Sequence, residues 1–306
     1  MAKKIITMEE SQKNKYSYQD CWNYALALGE KNEIEEVKND IIALCGTIPE
    51  NFWLNFANKS LSTADYSRIC HNLSQYIKEN CPVPYITNQV YFYGLNFYVE
   101  KGVFIPQPDT EVLVKKVLKL VNKYWQKKEQ LSVLDIGTGC GNIVISLAKN
   151  KPNWNFTTVD INPQALAVAK KNSEIHQVKN VEFIHSNLFN QLSQDNKFDL
   201  IVSNPPYVSA EEYQKLSSNV KTQPIEALIA KDGGYFFYRK IFQQARNFLK
   251  KKFLLMVEIG HQQAEKVIKL IIEYFPQAKV SIFFDYEGRS RVVSIYQSSR
   301  FGSSVG

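Results

Sequence analysis

The stretch that most restricts the fold is Ser132-Val133-Leu134-Asp135-Ile136-Gly137-Thr138-Gly139-Cys140-Gly141-Asn142. A short apolar run closes on three alternate glycines, and Ile143, Ile145, Leu147 and Ala148 follow with helical spacing. Strand, glycine turn and helix in direct succession form the opening unit of an alternating α/β architecture. Glycines at such a turn let a ligand approach the backbone at the helix N-terminus. Here the spacing is Gly-x-Gly-x-Gly after an acidic residue, not the Gly-x-Gly-x-x-Gly of dinucleotide folds. That turns the expected ligand away from NAD. A sulfonium compound with an amino-acid tail suits the turn better, with Asp135 supplying the negative charge.

The alternation continues. A second strand over 156–159 ends at Asp160, about twenty residues beyond the glycines, where an acidic side chain can take both hydroxyls of a ribose. A third over 181–185 ends in Ser186-Asn187-Leu188-Phe189, and Asn187 there can reach an adenine edge. One acidic residue at a strand end is more often a helix cap than a ligand. Three such features in the right order reverse that preference. A fourth strand covers 198–202, a fifth 253–258, and a helix over 262–274 leads to two closing strands, 280–284 and 291–296. The expected fold is a doubly wound, seven-stranded sheet whose last strands pair as a hairpin, with ligands at the carboxyl ends of the strands. Asp135, Asp160, Asn187 and Asn204 all fall at those ends.

The fourth strand runs into Ser203-Asn204-Pro205-Pro206-Tyr207-Val208. Two prolines after a strand stiffen the turn and keep its carbonyls out of a following ladder or helix. The Asn204 side-chain oxygen and the Pro205 carbonyl are two acceptors, a planar NH2 group offers two donors, and Tyr207 adds a flat face. Such a turn suits an amide or the exocyclic amine of a base. Taken alone, Asn-Pro-Pro is an ordinary loop signal.

Before the sheet, residues 16–80 read as short amphipathic helices broken at Gly29, Gly46, Pro49 and Ser60, a small bundle with a core of its own. Residues 90–99 form two β-prone runs about a glycine turn, a hairpin bridging the two parts. The next loop, Phe104-Ile105-Pro106-Gln107-Pro108-Asp109-Thr110-Glu111, serves as a helix entry and as a wall of the site. The divisions are therefore a helical bundle over 1–81, a hairpin linker over 82–107, the α/β domain over 108–297 and a flexible tail over 298–306.

Composition removes several classes. The five cysteines form no CxxC pair and the four histidines share no ligand spacing, so no metal is expected. No apolar run approaches the ~20 residues that cross a bilayer, and the first residues lack an apolar leader core, so the chain reads as soluble and cytoplasmic. A net charge of +7 suits a nucleic acid, a ribonucleoprotein or an acidic protein surface equally well.

These residues, in this order, resemble a known family. Ile105-Pro106-x-Pro108-Asp109-Thr110-Glu111, Asp135-x-Gly137-x-Gly139-x-Gly141, Asn204-Pro205-Pro206-Tyr207, Asp232-Gly233-Gly234 with Tyr238-Arg239, Glu258-Ile259-Gly260, and Asp285, Gly288 and Arg291 are similar to the bacterial peptide chain release factor glutamine methyltransferases, the PrmC/HemK family. The resemblance implies an S-adenosylmethionine-dependent methyltransferase acting on the glutamine of the Gly-Gly-Gln tripeptide of class 1 release factors. It implies donor binding by Asp135, Gly137, Thr138, Gly139, Gly141, Asp160, Ile161, Asn187, Leu188 and Asn204. The amide would be held by Asn204 and Pro205, with Pro206, Tyr207, Phe104 and Pro106 around it. The helical part would bind the release factor, ribosome association is compatible with this, and neither a membrane nor a specific nucleic acid is expected as partner. Two positions depart from the family pattern: Gln107 replaces an arginine and Asn187 an aspartate. Two other readings remain: a nucleic-acid adenine or cytosine amino-methyltransferase, against which stands the lack of a large target-recognition insert after Tyr207, and a non-catalytic adaptor, against which stands the intact site.

Overall fold

The computed structural model describes residues 16–125 and 130–298. Two compact units divide after Thr87. Residues 82–87 thus go with the helices, and the hairpin and proline loop go with the sheet, where the sequence suggests a separate linker over 82–107. Of the tail expected over 298–306, all but Ser298 lies outside the described residues.

The first unit contains helices Tyr18–Leu28, Lys31–Glu36, Lys38–Leu44, Pro49–Leu54, Thr63–Glu79 and Val83–Thr87. Most are too short to persist alone in water, so their common core must hold them. Cys21, Trp22, Ala25, Ile34, Ile41, Leu44, Phe52, Ile69 and Leu73 supply it. Side chains seal the helix starts: Ser17 N–H donates to Asp20 Oδ2 at 2.7 Å, and Asp65 N–H donates to Ser62 Oγ at 3.0 Å.

In the second unit β1 (Gln89–Phe92) and β2 (Leu95–Tyr98) form an antiparallel hairpin. Its turn puts Tyr93 at φ 48°, an uncommon place for an aromatic residue, and the Tyr93 N–H donates to Glu111 Oε1 at 2.8 Å. Glu111 therefore ties the proline loop to the hairpin. Asn172, wholly buried in helix Pro163–Ile175, accepts from Tyr98 N–H at 2.7 Å and donates to the Tyr98 and Cys140 carbonyls, each at 2.8 Å. One amide thus fastens the hairpin to the glycine turn.

The sheet comprises β3 (Ser132–Ile136), β4 (Asn155–Asp160), β5 (Val181–His185), β6 (Phe198–Ser203), β7 (Leu249–Glu258), β8 (Lys279–Phe284) and β9 (Ser290–Gln297), in the order β5-β4-β3-β6-β7-β9-β8. β3 to β7 pair in parallel, while β9 runs antiparallel to both β7 and β8. This is the doubly wound sheet with a closing hairpin that the alternation implies. The chain reverses its direction of build at β3, between β4 and β6, and that is where such sheets bind ligands. Register sharpens the location: Ile136 lies beside Val159 and Ser203, and Ser203 beside Val257. One step further along each strand come Gly137, Asp160, Asn204 and Glu258, all leaving the sheet at one level. Beneath them Leu134, Ile136, Ile201, Tyr238, Phe242, Leu255 and Val257 form a dry core that fixes the strand ends. Among the described residues no helix is long and apolar enough to cross a membrane.

Candidate active site

A cavity of about 680 Å³ opens at this level, within the range of sites for small organic ligands. Part of its wall is the glycine turn. Gly137 and Gly139 have φ of +73° and +56°, and a Cβ at either would meet no protein atom within 4 Å. Both line the cavity, so the space beside the backbone is left for a ligand. Asp160 stands next to them. Its Oδ2 accepts from Gly139 N–H at 2.9 Å and its Oδ1 from Asn162 N–H at 2.8 Å. The Ile161 N–H also points at this carboxyl, and two oxygens with four lone pairs still leave acceptor capacity for a ribose hydroxyl. Burial pushes the Asp160 pKa up, and these backbone donors oppose it.

Thr138, Ile161, Asn187 and Leu188 also line the cavity. Leu188 is held at φ 53°, a left-handed leucine, with its carbonyl accepting from Ser186 Oγ at 2.9 Å. A branched residue in that conformation marks a site where the backbone is aimed. Two residues expected at the ligand stand back from it. Asp135 is wholly buried beneath the turn, accepts from Thr158 Oγ1 at 3.2 Å, and its carboxyl is pushed up to about 7 by burial. It does not line the cavity. Gly141 opens helix Asn142–Asn150 instead of facing the cavity.

The acceptor turn leaves β6, the strand beside β3, and lines the same cavity. Ser203 Oγ donates to the Ile136 carbonyl at 2.8 Å and ties the turn to the glycine strand. Asn204 Nδ2 donates to Thr110 Oγ1 at 3.0 Å. No protein donor among the described residues takes Asn204 Oδ1 or the Pro205 carbonyl, so both acceptors are open. Gln263 Nε2 donates to the Tyr207 carbonyl at 2.9 Å, and Tyr207 Oη donates to Glu258 Oε1 at 3.3 Å. Phe104, Pro205, Pro206 and Tyr207 line the cavity with Phe236 and Phe237. Pro106 is buried but off the cavity, and the loop beside it is pinned where Ile105 N–H donates to Gln223 Oε1 at 3.0 Å. Gln107, in place of arginine, is exposed and folds back on the Ile105 carbonyl at 3.0 Å.

Several supporting residues escape a sequence reading: Thr110, Gln223 and Gln263 as hydrogen-bonding partners, and Pro224, Glu226, Ala227 and Leu228 as a wall. Only Thr110 carries a hint, as a lone hydroxyl between the prolines and an apolar helix.

Asp160→Asn is expected to weaken donor-side binding by on the order of tenfold or more, because a backbone N–H group would then face an NH2 and the charge on the hydroxyl acceptor is lost. Calorimetric titration with S-adenosylhomocysteine reads it. Wild-type affinity in that variant would remove Asp160 from the ligand set.

A seven-stranded sheet with β9 inserted antiparallel beside β7, and a cavity at its strand ends lined by the glycine turn, Asp160 and the Asn204-Pro205-Pro206-Tyr207 turn, define a class I methyltransferase fold. The Methyltransferase small domain family matches residues 96–269. The chain is 39% identical to the release factor glutamine methyltransferase of Fusobacterium nucleatum over 77% of this chain and 66% of that one, just short of two thirds of that relative's length. It is 36% identical to that of Lactococcus lactis over 79% of this chain and 87% of that one. The chain belongs to the release factor glutamine methyltransferase family. The hMettl16 catalytic domain, solved in complex with MAT2A 3'UTR hairpin 6, shares the fold, with a TM-score of 0.54 and 16% identity over 80% of this chain and 84% of that one.

Proposed function

We propose that this protein methylates the side-chain amide nitrogen of the glutamine in the Gly-Gly-Gln motif of class 1 peptide chain release factors, with S-adenosylmethionine as donor. The observation that carries the reading is the open acceptor pair, Asn204 Oδ1 and the Pro205 carbonyl, in the same cavity as Gly137 and Asp160.

The residues fit that donor. Gly137 and Gly139 leave backbone room for its amino-acid tail, Asp160 offers acceptors to a ribose, and a cation bound above the turn would favour the ionised form of the Asp135 and Asp160 carboxyls that burial disfavours. When bound, the donor supplies an electrophilic methyl group on a sulfonium. Everything else is done by the chain. An amide nitrogen is a poor nucleophile because its lone pair is delocalised into the carbonyl. Accepting both N–H bonds at Asn204 and Pro205 raises electron density on that nitrogen and fixes its direction of attack. Those hydrogen bonds strengthen as the nitrogen gains positive character, so they favour the transition state over the bound substrate. No strong base is needed if the proton departs after the methyl has arrived. Phe104, Tyr207, Phe236 and Phe237 make the walls apolar and exclude water. The helical unit would serve as a grip for the release factor.

The test is transfer from labelled S-adenosylmethionine to purified class 1 release factor and, separately, to DNA. Label on the factor, lost when the Gly-Gly-Gln glutamine is replaced by alanine, is expected. Label on DNA alone would establish the base-amine reading instead.

A further inference from the structure

Behind the acceptor turn lies a carboxyl with no part in the mechanism above. Glu258 closes β7, is 1% exposed, and its Oε2 is buried with no hydrogen-bond partner among the described residues. Its Oε1 accepts from Tyr207 Oη at 3.3 Å. The Thr110 hydroxyl faces the same carboxyl and favours its ionised form. Thr110, itself 1% exposed, also accepts from Asn204 Nδ2 at 3.0 Å. A hydroxyl has one proton to give. With a lone pair already committed to Asn204, that proton is free for the neighbouring Glu258 carboxyl, whose Oε2 has no hydrogen-bond partner among the described residues, Thr110 included.

We propose that Glu258 is a positioning residue that sets the polarity of the acceptor turn: as a carboxylate it draws the Thr110 proton toward itself, Thr110 must then accept from Asn204 Nδ2, and Asn204 Oδ1 is left facing the substrate amide. The inference rests on the glutamine reading. Its content is a direction rather than a shape. If Glu258 is protonated, or replaced by glutamine, it donates to Thr110, whose proton then turns to Asn204. The Asn204 amide rotates and presents NH2 to the substrate's NH2, donor against donor.

Each element packed around Glu258 contributes a group. Thr110 and Asp109 come from the proline loop, Tyr207 from the acceptor turn, Arg291 from β9, and Tyr238, from helix Phe236–Ala245, donates to the Glu258 carbonyl at 3.1 Å. Arg291 is held by Asp109 at 2.8 Å and Asp285 at 3.2 Å, so its charge is already shared. Burial consequently prevails and pushes the Glu258 carboxyl up to about 7, against the opposing pull of Thr110 and Arg291. Below that pH the carboxyl is protonated and the relay runs the wrong way. Above it the relay runs forward.

The experiment measures kcat/KM for purified release factor at saturating S-adenosylmethionine across a range of pH, with calorimetric titration of S-adenosylhomocysteine alongside. Wild type should rise in rate as pH passes about 7. Glu258→Gln, nearly the same shape, should be slower by about tenfold to a hundredfold above about pH 8, without that rise and with donor-side affinity within about twofold. Thr110→Ser, which keeps the hydroxyl, should lose far less than Thr110→Val, which removes it. If Glu258→Gln does not fold, the Thr110 pair decides. Wild-type rate and pH dependence in Glu258→Gln, or equal rates in the two Thr110 variants, would overturn the relay alone. A wild type inert on release factor would overturn the glutamine reading and the relay together.

Discussion

Asn204→Ala is expected to lower turnover on a release factor by on the order of a hundredfold or more, while the affinity for S-adenosylhomocysteine stays within about twofold. The substitution removes one of two acceptors for the amide, and it is the one whose position is set by a side chain. The Pro205 carbonyl remains, held by a stiff backbone, so substrate can still enter. What is lost is stabilisation of the nitrogen as its N–H bonds become more acidic on methyl transfer. The loss should therefore appear in kcat more than in KM. The other groups proposed for the donor, Gly137, Gly139 and Asp160, make no hydrogen bond to Asn204 among the described residues, so the substitution leaves most of the donor's partners in place although Asn204 lines the same cavity. Single-turnover transfer to a release factor, with titration of S-adenosylhomocysteine beside it, measures both halves. Near-normal turnover would take Asn204 out of the mechanism.

Why this residue stands out in the sequence while its supports do not is a matter of range. A strand ending in Asn-Pro-Pro-Tyr is legible because strand, turn and function lie within a dozen residues. The same holds for Asp160 after a β-prone run and for the alternate glycines after β3. The alternation of strands and helices fixes the order of build, and parallel pairing then brings the strand ends to one level. The supports act across the chain. Thr110 reaches Asn204 across 94 positions, Gln223 reaches Ile105 across 118, and Asn172 reaches Tyr98 across 74. Each is a polar residue embedded in apolar helix or loop pattern, where periodicity registers only an interruption. Asp135 shows the converse. Its place in the glycine motif suggests contact with the ligand, but the alternation of β3 turns its side chain beneath the turn, against Thr158. The Gly-Gly of residues 233–234 reads as a helix opening, and nothing local reveals that one of the two glycines is pressed against the acceptor turn.

That difference separates the two glycines in an experiment. Gly233 and Gly234 both adopt left-handed backbone, at φ of +62° and +95°, so alanine at either carries a conformational penalty of roughly 1–2 kcal/mol. Their surroundings are opposite. A Cβ on Gly233 meets nothing within 4 Å, whereas one on Gly234 would sit 2.4 Å from the Tyr207 carbonyl oxygen and 2.6 Å from Gln263 Nε2. Gln263 cannot easily give way, because its Oε1 accepts from Gly260 N–H at 3.0 Å and lies 3.1 Å from Tyr238 Oη while its Nε2 holds the Tyr207 carbonyl. The acceptor turn must therefore shift, and a displacement of about 1 Å at reacting groups can cost on the order of a hundredfold in rate. Gly234→Ala should lose turnover on that scale and also melt at lower temperature. Gly233→Ala should show a comparable backbone penalty in its melting temperature and retain most of its turnover. Melting curves and release factor methylation rates for the two variants, measured side by side, separate strain from displacement. Equal turnover in the two would mean that the turn tolerates the intruding methyl group and that its position is not what limits the reaction.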